Sequence, residues 1–520
     1  MKKTVLVGFV FAMLISSCKK TSIQQEENLN QDLIPAEAID AFIKKEITDN
    51  HVFEWSTASS QMVWSALQHS DQIMSVGYKP ATVGNINNQM HLININSTEW
   101  KSAREQVLQL ILATEQQKDP AVTMQQMIQW EESVLPVIMV RVKSLATVTK
   151  LRASKLVRYA EPMGYEPREA VLNAQQANGA DQAIASSSGC GSNVGEPGLI
   201  AGTHYTNIAP ATKQSWNYAY HKIPNAWTKS TGAGTKVFII DTGCEFDQEN
   251  LGSAFNQGSS TGRTVEKIVT LPRSTFLGIP TGPVETADDG CGHGTSMAGA
   301  CAAPRGTDGN TCGVAYNCNL VTCRAGEDVF IESSREAKGV SDAFTNAGNR
   351  ADVKIISMSM GRITSSSQIS DAIKYAYGKG KLIFCAAGTS FSWTSGWYGV
   401  IFPATMTQVN GVTGVRDNSF TTTCDDCHDG SQTDFTIVME RASDKVKPLS
   451  LAMSGNVPST VGGSSVATAT AAGIAALVWS RFPTYTRDQV LNKLVQTSAN
   501  YPTRNANLGW GNLNADAATN

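Results

Sequence analysis

From about residue 200 onward the chain alternates short, wholly apolar runs with longer stretches that are apolar on one face only. The runs Lys236 to Ile240, Asn319 to Thr322, Val353 to Met358, Lys381 to Ala386 and Gly411 to Val415 predict strands. Their apolar character is continuous, as expected of strands buried on both faces. Between and after them, Ser333 to Ala347, Gln368 to Tyr377, Val466 to Ser480 and Thr486 to Ser498 predict helices. The last opens on Thr486 and Gln489, the spacing of a capping box. Strand and helix in alternation predict an α/β fold, a doubly wound and mostly parallel sheet with helices on both faces.

A different pattern precedes it. Met90 to Asn96 alternates like a strand, and Glu99 to Gln117 carries Trp100, Val107, Leu108, Ile111 and Leu112 on one helical face. Met127 to Trp130 and Val137 to Val142 predict strands, Ser144 to Ala153 a short helix, and Val157 to Pro162 a closing strand. The order is βαββαβ, a small α+β sandwich of ferredoxin-like type with its core at about 90–162. The organisation expected is a leader at 1–17, a polar tether at 18–32, the small domain region at 33–162, a linker at 163–209 and the α/β domain at 210–520.

The N-terminus changes the picture of compartment. Met1-Lys2-Lys3 is basic, and Thr4 to Ile15 is an apolar run of export-signal length. It ends in Leu14-Ile15-Ser16-Ser17-Cys18, followed by a Gln/Glu/Asn-rich stretch suited to a flexible tether. It is the one apolar run worth considering as a membrane segment, which excludes a polytopic membrane protein. The 11 cysteines leave ten beyond Cys18, an even number that fits an oxidising compartment without fixing the pairing. Cys301 and Cys385 lie within apolar patterns and fit buried thiols equally well. A formal charge of −3 and the lack of basic patches speak against a nucleic-acid partner. Apolar residues at 41% and charged ones at 17% exclude wholesale disorder.

Three element boundaries carry candidate chemistry. Val237 to Ile240 runs into Asp241-Thr242-Gly243, placing an acid at the carboxyl end of a buried strand, where open α/β sheets build their sites. Cys291-Gly292-His293-Gly294-Thr295 opens an apolar helix. The positive helix end favours a neutral imidazole there, the form a general base needs. Gly462-Gly463-Ser464-Ser465-Val466 starts another apolar helix. A Ser there serves as an N-cap or as a nucleophile whose surrounding backbone N–H groups face an oxyanion. Asp, His and Ser follow one another at intervals of 52 and 172 residues.

With those three segments the chain resembles the subtilisin-like serine peptidases, the subtilases. Supporting likeness lies in Ala226-Trp227 with Gly232-Ala233-Gly234, in Ile356 to Gly361, and in Gly509-Trp510-Gly511 with Asn514-Ala515. The resemblance covers about residues 210–520. It implies an Asp241–His293–Ser465 triad hydrolysing peptide bonds through an acyl-enzyme, with protein or peptide substrates. Ser359, Met360 and Gly361 would pair with the substrate backbone, and Ala386, Ala387 and Gly388 would join them in binding it. The Ser465 backbone N–H would be one oxyanion donor. Family members usually carry Asn after Ala-Ala-Gly as the other; here Thr389 stands in its place, a shorter donor that can rotate away. The segment Ser390 to Ile401, with Trp393, Trp397 and Tyr398, would line the primary pocket. Ser464 replaces the usual Thr, and Ala469 the usual Pro.

By the same resemblance the small domain is an inhibitory, chaperone-like propeptide of a self-processing precursor, and the leader is of lipoprotein type. Cys18 would be the lipidated residue, anchoring an exported enzyme to a bacterial cell-envelope membrane, the outer membrane or cell surface being candidate faces. No cofactor is required for the chemistry and no metal site is assigned; structural calcium, common in the family, finds no compact ligand run. The alternative is a weak or inactive subtilase-like binding or regulatory lipoprotein, motivated by Thr389. Two cysteine questions stay open. Cys424-Asp425-Asp426-Cys427-His428 fits the C-x-x-C-H haem pattern, a local or metal-binding pair, or disulfides to either Cys. Cys244 and Cys291 flank Asp241 and His293, so a Cys244–Cys291 bond is expected if their Cβ vectors converge.

Overall fold

The computed structural model describes residues 32–168, 190, 193–276, 279–389 and 399–520. The leader, Cys18, nearly all of the tether, and Trp393, Trp397 and Tyr398 lie outside the described residues.

Seven parallel strands form the central sheet of the α/β domain. Across the sheet they run Thr433–Glu440, Asn410–Arg416, Leu382–Ala386, Ile355–Met358, Lys236–Asp241, Asn319–Arg324 and Val265–Val269. Five match the apolar runs read from sequence. The two edge strands, Val265–Val269 and Thr433–Glu440, do not begin from such runs. Val265–Val269 is half-buried throughout, because a strand with one neighbour does not need apolar residues on both faces. From Lys236–Asp241 the chain crosses to the edge strand Val265–Val269, comes back to set Asn319–Arg324 between the two, and then builds outward on the other side. Asp241 therefore ends a central strand where the direction of winding reverses, the position at which open α/β sheets form a crevice. Through the middle runs helix Gly463–Arg481, buried from Val466 to Trp479. It is long and apolar enough to cross a membrane, but 83% of its apolar window is buried inside the protein. Its Ala residues share one core with the sheet residues Val237, Ile239 and Phe384, and Gly473 packs on Val314.

The small domain has the expected order with a different first strand. Ile73–Tyr78 opens the four-stranded antiparallel sheet, whose strands lie in the order Ile128–Trp130, Val137–Arg141, Ile73–Tyr78, Val157–Pro162. The stretch read as a strand at Met90 to Asn96 is instead a short 3-10 helix, Asn87–Leu92, followed by a turn. Local side-chain bonds hold it and the segment before it: Asn94, within the stretch, accepts from the Asn96 N–H, and Asn85, just ahead of it, accepts from the Asn87 N–H. Such local bonds compete with a strand ladder. Ile73–Tyr78 is buried along its whole length and shows no alternation. Helices Ala36–Asn50 and Ser60–His69 precede it.

Residues 34–520 form one compact unit. The small sheet covers two helices of the large domain, Ser334–Asn349 and Ser367–Gly378, and the two share one apolar core. Polar contacts fix the register. Arg158 forks onto Asp371 at 2.7 and 2.8 Å, and Tyr159 donates to the same carboxylate at 3.0 Å. Glu161 accepts from the N–H and hydroxyl of Ser367 at the start of its helix, where the helix dipole favours an anion. Beyond it, Glu166 is buried on Arg362, the residue after Gly361.

Burial pushes the Glu161 carboxyl up to about 7, the Ser367 bonds and Arg362 pulling it back only in part. In the unfolded chain it titrates near 4.5. The folded state thus binds the proton more tightly, so this group's cost to folding is absent below pH 4.5 and complete above pH 7. Glu161→Gln carries no such cost. Its melting temperature relative to the Glu161 protein, both in a Ser465→Ala background, is expected to rise from pH 5 to pH 8. A constant difference across that range would show that the Ser367 contacts offset the burial in full.

Candidate active site

Three loops at the carboxyl ends of the strands meet in one cleft. Asp241 closes its strand with 1% exposure, and His293 begins helix His293–Ala302 with 3% exposure. His293 Nδ1 lies 2.7 Å from Asp241 Oδ1. That oxygen also accepts from the Thr242 N–H at 2.8 Å, while Oδ2 is buried without a hydrogen-bond partner among the described residues. The two loops approach so closely that a Cβ on Gly294 would stand 2.3 Å from the Gly243 carbonyl oxygen, so only glycine fits there. Burial lowers the affinity of His293 for a proton, but the Asp241 charge and hydrogen bond outweigh it, and the pKa is raised. The helix-start argument for a neutral imidazole is therefore overridden: a contact carboxylate acts more strongly than a helix end.

Asp289 carries no mark in the sequence. It is fully buried and accepts five bonds: from the Thr242 hydroxyl, the N–H groups of Cys291 and Gly292, and the N–H and hydroxyl of Thr295. It holds the His293 loop to the Asp241 loop. The only signal is an acid four residues before His293, indistinguishable in sequence from its neighbour Asp288, which bonds the Phe246 N–H instead.

Ser465 stands in the first turn of Gly463–Arg481, half-buried, and lines the same cleft as His293. Its hydroxyl points toward the Ser359 carbonyl at 3.5 Å, and Ser359 returns a bond to the Ser465 carbonyl at 3.0 Å. Ser359, Met360, Gly361, Ala386, Gly388 and Thr389 also line the cleft. Ala387 does not line it. It is buried beneath, its N–H on the Val412 carbonyl and its carbonyl on the Ile401 N–H. Gly388 has φ +124°, and a Cβ there would stand 2.5 Å from His428 Nδ1. Gly361 does not offer a free edge: its N–H donates to the Val329 carbonyl and its carbonyl accepts from the Ile331 N–H. The pairing partner is a nearby loop of the same domain, which sequence spacing does not reveal.

Thr389 Oγ1 lies 2.9 Å from Ser464 Oγ, and Ser464 Oγ accepts from the Gly388 N–H at 3.3 Å. Either hydroxyl can donate across the Thr389–Ser464 contact; the Thr389 proton is left for the cleft when Ser464 is the donor. Thr389→Val is expected to lower kcat by about tenfold or more with little change in KM, since a bond to an oxyanion matters mainly in the transition state. An unchanged kcat would place the second donor elsewhere.

The cysteine expectations are corrected in one respect. Cys291 is bonded to Cys190, not to Cys244. Cys244 is fully buried in the apolar core, its thiol pushed up to about 12 by burial, while Cys291 lies outside that cluster. Proximity of Asp241 to His293 does not make the neighbouring Cβ vectors converge. Cys424 and Cys427 are bonded to each other, and His428 is buried behind Gly388 and pushed down to about 4. That bond uses both sulfurs that covalent haem attachment would need. Among the described residues no three His, Cys, Asp or Glu side chains cluster to hold a metal.

The chain is similar to known proteins over much of its α/β domain. The profile of the subtilase family matches residues 232–511. Subtilisin DY of Bacillus licheniformis is 29% identical over 299 residues, 55% of this chain and 91% of that protein. The subtilisin of Bacillus sp. (strain TA39) is 26% identical over 308 residues, 56% of this chain and 67% of that protein. Among solved structures, MycP1 from Mycobacterium smegmatis is similar at 21% identity and a TM-score of 0.46, over 61% of this chain and 88% of that one.

Proposed function

The chain belongs to the subtilase family and is a serine endopeptidase; from that premise we propose that Asp241, His293 and Ser465 are its catalytic triad, in an exported, self-processing precursor. The observation that carries the assignment is the 2.7 Å bond from His293 to a buried Asp241, in a cleft that Ser465 shares.

Ser465 Oγ forms the bond to the scissile carbonyl carbon while His293 Nε2 takes the hydroxyl proton. Asp241 holds Nδ1 protonated and stabilises the imidazolium. The carbonyl oxygen gathers negative charge opposite the Ser465 N–H and the Thr389 hydroxyl. The C–N bond then breaks, the amine leaves with the proton from His293, and water attacks the acyl-enzyme by the same relay. No cofactor enters these steps. For substrate to add as a strand along Ser359–Gly361, the Val329–Ile331 segment must release the Gly361 edge.

The small domain acts as the intramolecular inhibitor in this reading. In support, the chain leaving it bonds Arg362 through Met163, Tyr165 and Glu166, one residue past Gly361. Export fits the Cys190–Cys291 bond, since disulfides persist in oxidising compartments. Cys18 then carries the lipid that fastens the enzyme to the cell envelope. Mass spectrometry of the purified protein beside its Ser465→Ala variant tests the whole reading. Wild type is expected as two fragments divided between residues 163 and 190, and the variant as one uncut chain. Cleavage at the same place in the variant would rule out self-processing.

A further inference from the structure

A short strap lies across one end of the cleft, and neither the mechanism nor the inhibitory domain uses it. It comprises residues 193–198, with Cys190 fixing its start to Cys291, two residues before His293. Asn193 lines the cleft itself. Its side-chain amide donates to the Gly292 carbonyl at 3.2 Å and to the Ser296 hydroxyl at 2.9 Å, both on the His293 side. Its own carbonyl accepts from the Met453 N–H at 2.8 Å. Three residues on, Glu196 grips the other rim. Its N–H donates to the Pro458 carbonyl at 2.9 Å. Its carboxylate accepts from the Thr460 N–H and hydroxyl, both at 2.7 Å, and from Ser459 at 3.3 Å. Gly195 packs so tightly on Val457 that a Cβ there would stand 2.8 Å from it. The strap thus joins the rim that carries the base to the rim that leads into Ser465.

Its position bears on one half of a substrate. Resting on the peptidase reading above, the acyl half lies along Ser359–Gly361 and its carbonyl oxygen faces Thr389. The leaving half then passes between His293 and Thr460–Gly462, and Asn193 stands on that side of the cleft. We propose that the strap, pinned by Cys190–Cys291 and Glu196, narrows the leaving-group side of the cleft and makes Asn193 a specificity-determining residue. The endopeptidase then still cuts within chains, but it turns over a long leaving half less well than a short one. Because the pin is a disulfide and the other clasp a set of hydrogen bonds, either can be released without touching the triad.

The test uses the matured full chain, as wild type, Cys190→Ser and Glu196→Ala. Two substrates share one acyl half; one leaves p-nitroaniline, the other a four-residue peptide. The ratio of kcat/KM, long over short, is expected to rise about tenfold or more in both variants, since excluding even one side chain from a site is worth about 1–3 kcal/mol. Glu196→Ala keeps the disulfide, which covers the case in which Cys190→Ser fails to fold. An unchanged ratio, with fluorophosphonate labelling of Ser465 as fast as in wild type, overturns the strap and leaves the peptidase reading standing. No turnover and no labelling in any of the three proteins overturns both.

Discussion

Ser465→Ala is expected to reduce casein hydrolysis by about a millionfold, the scale on which serine peptidases lose turnover without their nucleophile. The fold should be untouched. Ser465 is half-buried in the first turn of its helix, and its hydroxyl makes one long bond, to the Ser359 carbonyl at 3.5 Å. Removing one oxygen there leaves no cavity to collapse and no strong partner unpaired. The variant's stability should therefore lie within about 0.5 kcal/mol of wild type, as for surface-like substitutions. Casein hydrolysis at the wild-type rate would end the assignment of Ser465, and hydrolysis lost together with the fold would make its role structural.

Asp241→Asn has the second largest expected effect, a loss of about 10⁴ in kcat at neutral pH. The carboxylate accepts the His293 Nδ1–H; an amide in its place is free to present N–H₂ to Nδ1 and so fix the wrong tautomer. The pH profile separates this from general damage. Burial works against the imidazolium of His293, and Asp241 is what raises its pKa despite that. Activity needs the neutral base, so the acid limb of kcat/KM in wild type lies above the ordinary histidine value of 6.5. Without the Asp241 charge burial is left to act, and the limb of the residual activity should move to lower pH. A limb that stays in place would mean that Asp289 and Asp328, whose charges also raise the pKa, suffice to hold it.

The buried neighbours of the triad show how unevenly sequence speaks. Thr242, Gly294 and Thr295 sit inside the motifs around Asp241 and His293, and the structure gives each a reason to be there. Thr242 donates its N–H to Asp241, Gly294 permits the close approach of the two loops, and Thr295 bonds Asp289. Asp289, with five bonds of its own, reads in sequence as one of two adjacent acids before a turn. Its function depends on Thr242, 47 residues earlier, and nothing in local pattern reports such a distance.

The parallel sheet, the helix-start positions of His293 and Ser465 and the strand-end position of Asp241 were legible because each follows from local chemistry. Apolar runs bury on both faces, glycines permit tight entry to helices, and a capping box such as Thr486 with Gln489 closes on itself within one turn. The second, third and fourth strands and both helices of the βαββαβ core were legible for the same reason. Tertiary structure alone decided the rest. Ile73–Tyr78, central and buried on both sides, lacks the alternation that marks a half-exposed strand, whereas Met90 to Asn96 showed it and formed a turn. Cys291 took Cys190 across 101 residues in preference to Cys244, because side-chain direction and not sequence spacing selects a disulfide partner. The Gly361 edge went to Val329 and Ile331, and the leaving-group end of the cleft to Asn193, because backbone donors and acceptors pair with whatever the fold brings beside them.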